Sequence, residues 1–275
     1  MAQRFTLVRH CRAGLTLHSD REHIMNERQP TANSGTQKEI LQTSFPAGGV
    51  AVVIGASGAV GNALTERLST VGNFTAVVGL SRTGSPALEL NSEQSIQAAA
   101  TAVIDLGLPL RLVFDATGFL HDGVAMPEKT WRDLSADRLA YAFAVNTIGP
   151  ALLMKHFLPL LARDGKAVFA TLSARVGSIG DNQLGGWYGY RASKAALNQM
   201  VRCAAIELKR SAPSAICVAL HPGTVESGLS APFERRGLDV RPPCQAADEL
   251  LAVIESLTAD DTGSFLDHQG ENPPW

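Results

Sequence analysis

Val50-Ala51-Val52-Val53-Ile54-Gly55-Ala56-Ser57-Gly58-Ala59-Val60-Gly61 decides the fold class of this chain. The apolar run reads as a strand buried on both faces, because a strand with one wet face would alternate apolar and polar residues. The glycines then turn the chain, and residues 62–70 read as a helix. A strand that turns sharply into a helix N-terminus is an anion site, since unpaired N–H groups and the helix dipole both favour negative charge. Gly55 allows the tight turn, Gly58 lets the backbone approach a pyrophosphate and Gly61 permits close packing of helix on strand. Ser57, Ala59 and Val60 complete the expected cofactor loop. Glycine-rich turns are often only turns; here the strand before and the helix after favour dinucleotide binding.

Outward from this unit the alternation repeats. Residues 75–80, 112–114, 167–170 and 216–220 read as further strands, and residues 92–103, 139–161 and 193–209 as helices, the first capped by Ser or Asn. In the last helix Leu197, Met200, Val201, Ala204 and Leu208 fall on one apolar face. Strands alternating with helices from 50 to 268 predict an α/β fold: a doubly wound parallel sheet of Rossmann type in a single domain. Residues 1–47 are expected to form a poorly ordered N-terminal extension, with 48–275 the dinucleotide-binding catalytic domain. Arg4, Arg9 and Arg12 precede the first acidic residue, Asp20, as they would in a mitochondrial transit peptide. Nothing else supports import, and the expected location is cytoplasmic.

Composition narrows the function. With 275 residues, 45% of them hydrophobic, the chain can bury one substantial core. Lys and Arg total 24 against 26 Asp and Glu, so no basic excess points to nucleic acid or to an anionic membrane surface. Cys11, Cys203, Cys217 and Cys244 are far apart and no His stands at ligand spacing, which predicts neither a metal site nor a disulfide framework. No stretch reaches the roughly 18 apolar residues of a spanning helix; residues 151–162 come nearest and are interrupted by Lys155 and His156.

Cofactor choice is expected at Leu80-Ser81-Arg82, after the second strand. A carboxylate there would hold a ribose hydroxyl pair, whereas a basic residue attracts a 2′-phosphate. Ser81 and Arg82 therefore favour NADP(H) over NAD(H), although Arg82 also reads as an ordinary solvated arginine. Tyr190 and Lys194 stand four apart at the start of a helix, so both side chains share one face. A phenol titrates near 10 and is a poor acid or base at neutral pH; an ammonium fixed nearby favours the phenolate and brings that value down. The pair could serve a carbonyl/alcohol interconversion, or could be a surface pair of no consequence.

The order of features separates these alternatives: phosphate loop, Asp115-Ala116-Thr117-Gly118, Asn146, Ser173, Tyr190 and Lys194, then Pro222-Gly223-Thr224. Over about residues 50–275 the chain resembles the short-chain dehydrogenase/reductase family. Leu172-Ser173-Ala174-Arg175-Val176-Gly177-Ser178-Ile179, Gly185-Gly186-Trp187-Tyr188-Gly189-Tyr190 and the terminal Pro274-Trp275 look like the C-factor/sniffer-type carbonyl reductase branch. The resemblance implies that Tyr190 protonates the substrate oxygen and that Lys194 lowers its pKa and holds the nicotinamide ribose. It implies that the Asn146 backbone supports a water in a proton relay, and that Asp115, Ala116, Thr117, Gly118, Pro222, Gly223 and Thr224 border the cofactor; Asn146 also reads as a tolerated polar residue near a helix irregularity ahead of Gly149-Pro150, and both turns as simple structural turns. It also implies a homodimer or homotetramer through the two long helices.

Two departures stand out. The family's loop spaces its glycines four and then two apart; here Ala59 takes the middle place and Gly58 precedes it, as in the extended, sugar-nucleotide-acting members, which usually carry a larger substrate domain. The position of the catalytic serine aligns with Ala174, leaving Ser173 as first candidate and Ser178 as second. Adjacent strand residues point to opposite faces, so Ser173 works only if the chain leaves strand geometry there. Trp187 and Tyr188 are expected to wall the substrate pocket or simply to pack, and the loops 119–131 and 225–244 to shape specificity. The leading expectation is an NADP(H)-dependent oxidoreductase acting on a small-molecule carbonyl or alcohol. The alternatives are a dinucleotide-binding sensor or signalling protein on the same fold and, from the glycine spacing alone, a sugar-nucleotide epimerase or dehydratase.

Overall fold

β1 (Val50–Ile54) is buried along its whole length because it runs through the interior of a sheet covered on both faces. The computed structural model describes residues 43–124, 126–233 and 239–275. There the chain continues through α1 (Ala59–Val71), β2 (Ala76–Leu80), α2 (Glu93–Ile104), β3 (Leu110–Asp115), α3 (Ala136–Phe143), α4 (Gly149–Phe157) and β4 (Ala167–Leu172). It then forms α5 (Tyr188–Ser211), β5 (Ala215–His221), the short pair β6 (Thr224–Val225) and β7 (Val240–Arg241), α6 (Pro243–Ser256) and β8 (Phe265–Asp267). The main sheet has six strands in the order β2-β1-β3-β4-β5-β8, with every neighbouring pair parallel. The expected doubly wound parallel sheet is the fold observed.

Alternate residues of each strand feed two cores, as the period of two requires. Val50, Val52 and Ile54 pack with Val113 and Phe169 against Ile96 of α2, Leu153 and Phe157 of α4, and Leu197 and Val201 of α5. Ala51 and Val53 pack with Phe114 and Val168 on the other side, against Leu64 and Leu68 of α1 and Leu250 and Ile254 of α6. From β1 the sheet extends through β2 in one direction and β3 in the other, so the carboxyl ends of β1 and β3 border the crevice where ligands of such folds bind.

Four differences from expectation have physical causes. α1 starts at Ala59, earlier than residue 62, because extended Gly58 caps it and Asn62 N bonds Gly58 O at 2.8 Å. Residues 43–47, expected in the N-terminal extension, pack on the domain: Phe45 is buried against Phe74, and Ser44 bonds the Glu255 carboxylate. The rest of that expected extension lies outside the described residues. β8 is too short for a sequence pattern to mark. The helix expected over 139–161 is interrupted by a π-helical turn at Ala144–Ile148. Pro150, in the first turn of α4, has no N–H to bond the Asn146 carbonyl, and such widened turns recur at functional sites. Among the described residues no helix is long and apolar enough to cross a membrane.

Candidate active site

The glycine loop is shaped by backbone. Gly55 has φ +82, and a Cβ there would meet Ala116 C and Thr117 Cγ2 at 3.1 Å. A Cβ on Gly61 would stand 2.2 Å from Gly55 O, so only glycine lets α1 lie this close to β1. Gly58 N closes the turn on Gly55 O at 2.9 Å. α1 has no side-chain cap and no acidic residue in its first turn, which leaves the N–H groups near Ala59 and Val60 for an anion. These residues fit the pyrophosphate of a dinucleotide. Ser57 and Gly58 are exposed at the mouth of the loop, and beyond β2 lie half-buried Ser81 and exposed Arg82.

The turn after β3 carries this surface toward α5. Asp115, expected among the cofactor contacts, is instead fully buried. Its carboxylate accepts from Thr117 N at 3.0 Å and Thr117 Oγ1 at 2.5 Å, and from Thr171 Oγ1 of β4 at 2.7 Å. Burial holds this carboxyl above the usual range, against the pull of those donors and of the Lys194 charge. Ala116 packs on Gly55, and a Cβ on Gly118 would lie 3.8 Å from Lys194 Nζ and 3.9 Å from Asn146 Oδ1.

Asn146 ties the site together from the π-helical turn. Its Oδ1 accepts from Phe119 N at 2.7 Å, and its Nδ2 donates to Phe119 O at 2.8 Å and to Ser193 Oγ at 3.1 Å. Ser193 Oγ donates to Tyr190 O at 2.9 Å, and Thr147 Oγ1 donates to Ser193 O at 2.8 Å. The resemblance expects a relay support from the Asn146 backbone; its side chain is the bolt between the β3 turn and the first turns of α5. Sequence reasoning passed over Ser193, although its place three residues after Tyr190 on one helical face was a usable signal.

Tyr190 and Lys194 occupy successive turns at the start of α5. Lys194 is buried; its Nζ donates to Leu172 O at 2.7 Å and lies 6.0 Å from the Tyr190 ring centre. Burial lowers Lys194 to about 8, with Asp115 pulling it upward. Burial pushes the Tyr190 phenol up to about 12, opposite to the lowering expected from the pair alone. Trp187 has φ 50, unusual for a bulky residue, and its N–H donates to Glu128 O at 2.5 Å. Its ring meets Tyr190 edge-on at 6.2 Å and Phe233 at 4.8 Å, whereas Tyr188 makes no ring contact among the described residues. A cavity of about 200 Å³ opens beside Tyr190, with Phe119, Met126, Glu128 and Tyr141 in its wall. Loop 119–131 therefore lines it as expected, while residues 234–238 of loop 225–244 lie outside the described residues.

The serine candidates are not brought to Tyr190. Ser173 continues β4, with its N–H on Leu220 O at 2.8 Å, and its hydroxyl donates to Asn198 Oδ1 at 2.6 Å, one turn beyond Lys194. β4 itself ends at Leu172, and Ser173 spends its hydroxyl on Asn198 of α5. Ala174, also extended, carries no hydroxyl toward the opposite side. Ser178 is buried and its oxygen accepts from Asp181 N at 3.1 Å. Beyond β5, Pro222 leads to Gly223 at φ +74, where a Cβ would strike Arg241 Nη1 at 2.3 Å, and Thr224 pairs with Val240.

A short-chain dehydrogenase profile described as enoyl-(acyl carrier protein) reductase matches residues 55–240, the span that holds every feature above from glycine loop to Pro-Gly turn. The chain belongs to the short-chain dehydrogenase/reductase family. A Rhodococcus relative, 1-hydroxy-2-glutathionyl-2-methyl-3-butene dehydrogenase, is 31% identical over 194 residues, 69% of this chain and 79% of its own. C-signal of Myxococcus xanthus is 33% identical over 143 residues, 52% of this chain and 82% of its own. Among solved structures, an NADPH-bound carbonyl reductase from chicken fatty liver superposes with a TM-score of 0.72 at 26% identity, covering 84% of this chain and all of that one. The Drosophila carbonyl reductase Sniffer, at 19% identity and a TM-score of 0.71 over 83% of this chain and all of its own, shares the fold. The chain is thus a short-chain oxidoreductase similar to carbonyl reductases.

Proposed function

We propose that this enzyme interconverts an aldehyde or ketone and its alcohol with NADP(H), with Tyr190 as general acid or base. The observation that carries this reading is the convergence of glycine loop, β3 turn and the Tyr190/Lys194 turns of α5 at one sheet edge, with Tyr190 in a cavity wall. The bound dinucleotide supplies or accepts the hydride. Tyr190 gives its proton to the carbonyl oxygen in reduction, a transfer that works against the burial pushing its phenol up to about 12. Lys194 supplies positive charge and donors beside it, held by Leu172 O and balanced by Asp115. Exposed Arg82 after β2, with no carboxylate partner among the described residues, supports NADP(H) over NAD(H). Exposed Tyr141 of α3, Ile148 of the π-helical turn, and Met200 and Ile206 of α5 support a homodimer or homotetramer through these elements, and the location proposed from the sequence is the cytoplasm.

A second reading, a dinucleotide-binding signalling protein, draws on Ala174 in the serine position and on the similarity to C-signal. Oxidation of NADPH and NADH against a panel of aldehydes and ketones separates the two. The expected result is turnover with NADPH favoured, and an Arg82→Ala variant whose preference falls by about tenfold, the loss of one charge-assisted contact. Protein that binds NADPH but reduces nothing on the panel would favour the second reading.

A further inference from the structure

Glu128 has a place in this cavity that its neighbours in sequence do not announce. The residue is 6% exposed, a rare state for a carboxylate. Its Oε2 accepts from Gly189 N at 3.1 Å, in the first turn of α5 and directly before Tyr190. The other oxygen, Oε1, accepts from no described residue and lies 3.1 Å from where a Cβ on Gly189 would stand, on the wall shared with Tyr190. A carboxylate oxygen accepts and never donates when ionised, so the group it can hold is a hydroxyl or an ammonium.

The remaining walls set the shape of that group's carrier. Phe119 and Tyr141 meet edge-to-face at 4.7 Å, and Met126 adds a polarisable side chain that suits an aromatic ring. At about 200 Å³ the cavity is smaller than the roughly 300–1,000 Å³ of pockets for drug-sized ligands, which suits a single substituted ring. Asp122, Asp137 and Arg138 stand at its rim, so with Glu128 carboxylates outnumber cations.

We propose that Glu128 determines substrate specificity by accepting a hydrogen bond from a hydroxyl or ammonium group on a small aromatic carbonyl compound whose reacting oxygen lies at Tyr190. This inference rests on the carbonyl-reductase reading above. Three para-substituted benzaldehydes test it, carrying hydroxymethyl, methyl and carboxylate groups. In the wild type kcat/KM is expected to be about tenfold higher for the hydroxymethyl compound than for the methyl one, and lowest for the carboxylate, the scale of one hydrogen bond to a charged group. A Glu128→Gln variant can keep its amide oxygen on Gly189 N–H and turn its NH2 toward the cavity. The order is then expected to change, the carboxylate compound gaining on the other two whatever the absolute rates. Equal kcat/KM for all three in the wild type would overturn the inference alone. So would a Glu128→Gln variant that slows all three by one factor with a matching fall in Tm, since that is the behaviour of a helix cap. Reduction of none of them, with NADPH bound, would bring down the carbonyl-reductase reading as well.

Discussion

The turns that follow β1 and β4 stand at the same carboxyl edge of one sheet, and they are built by different means. After β1 the work is done by backbone: Gly55 turns, Gly61 admits the helix, and no side chain caps α1. After β4 it is done by side-chain direction: Ser173 reaches Asn198, Ala174 offers nothing opposite, and the Leu172 carbonyl holds Lys194. A backbone device is written as glycine at fixed spacing. A side-chain device depends on which face each residue of a strand presents, and a shift of one residue reverses it.

The hardest blow to the first turn is Gly61→Ala. Its Cβ would press on the Gly55 carbonyl at 2.2 Å, so the loop must open. Fluorescence titration should show NADPH binding weakened by more than about tenfold, and a melt should show a loss of about 1–3 kcal/mol, the usual result of overpacking. Normal binding would break the backbone account. In the second turn Ala174→Ser returns a hydroxyl to the face that lacks one, and kcat should rise by up to about tenfold, within what one oriented donor supplies. Ser173→Ala should act mainly on stability, by about 1 kcal/mol, because it strips Asn198 of a buried donor. If Ser173→Ala abolishes turnover while Ala174→Ser changes nothing, the assignment of faces is wrong.

A smaller effect sharpens the same contrast at Asp115, which ties the β3 turn, packed against Gly55, to β4 through Thr117 and Thr171. Lys194 is lowered to about 8 by burial and drawn back up by Asp115. Asp115→Asn removes that pull, so Lys194 loses its proton at lower pH, and the alkaline limb of kcat should move down by about one pH unit. Stability should respond in the other sense. Asp115 has a folded pKa raised above its ordinary 3.8, so its contribution is fully present below that value and is lost as pH rises through the folded pKa. The Asn variant is therefore expected to melt no lower than the wild type at neutral pH, and a collapse of the fold would show Asp115 to be structural only.

Most of the architecture was legible because buried parallel strands are apolar runs, and β1 through β5 all carry one. The breaks were not. Nothing in residues 139–161 announces a π-helical turn except the Asn146 and Pro150 spacing, whose effect depends on the Phe119 backbone it meets. Tyr190 and Lys194 are legible from the order of features together with their helical spacing, but the spacing does not foresee the phenol's surroundings, where burial pushes it up and Lys194 turns to Leu172. Asp115 read as a cofactor contact because its place in the order of features suggested it; only the Thr171 contact across β4 shows that its side chain turns inward. Glu128 had no local signal, because its partner Gly189 is distant in sequence and meets it through a backbone N–H.

The central claim is that Tyr190 transfers the proton in an NADPH-dependent carbonyl reduction. Its most direct test is Tyr190→Phe beside the wild type, with NADPH consumption against an accepted aldehyde and NADPH affinity measured on the same preparations. The account predicts a loss in kcat of at least about a hundredfold, the lower range for a positioned general acid, with NADPH affinity and Tm held. A variant that reduces the aldehyde at the wild-type rate would contradict it.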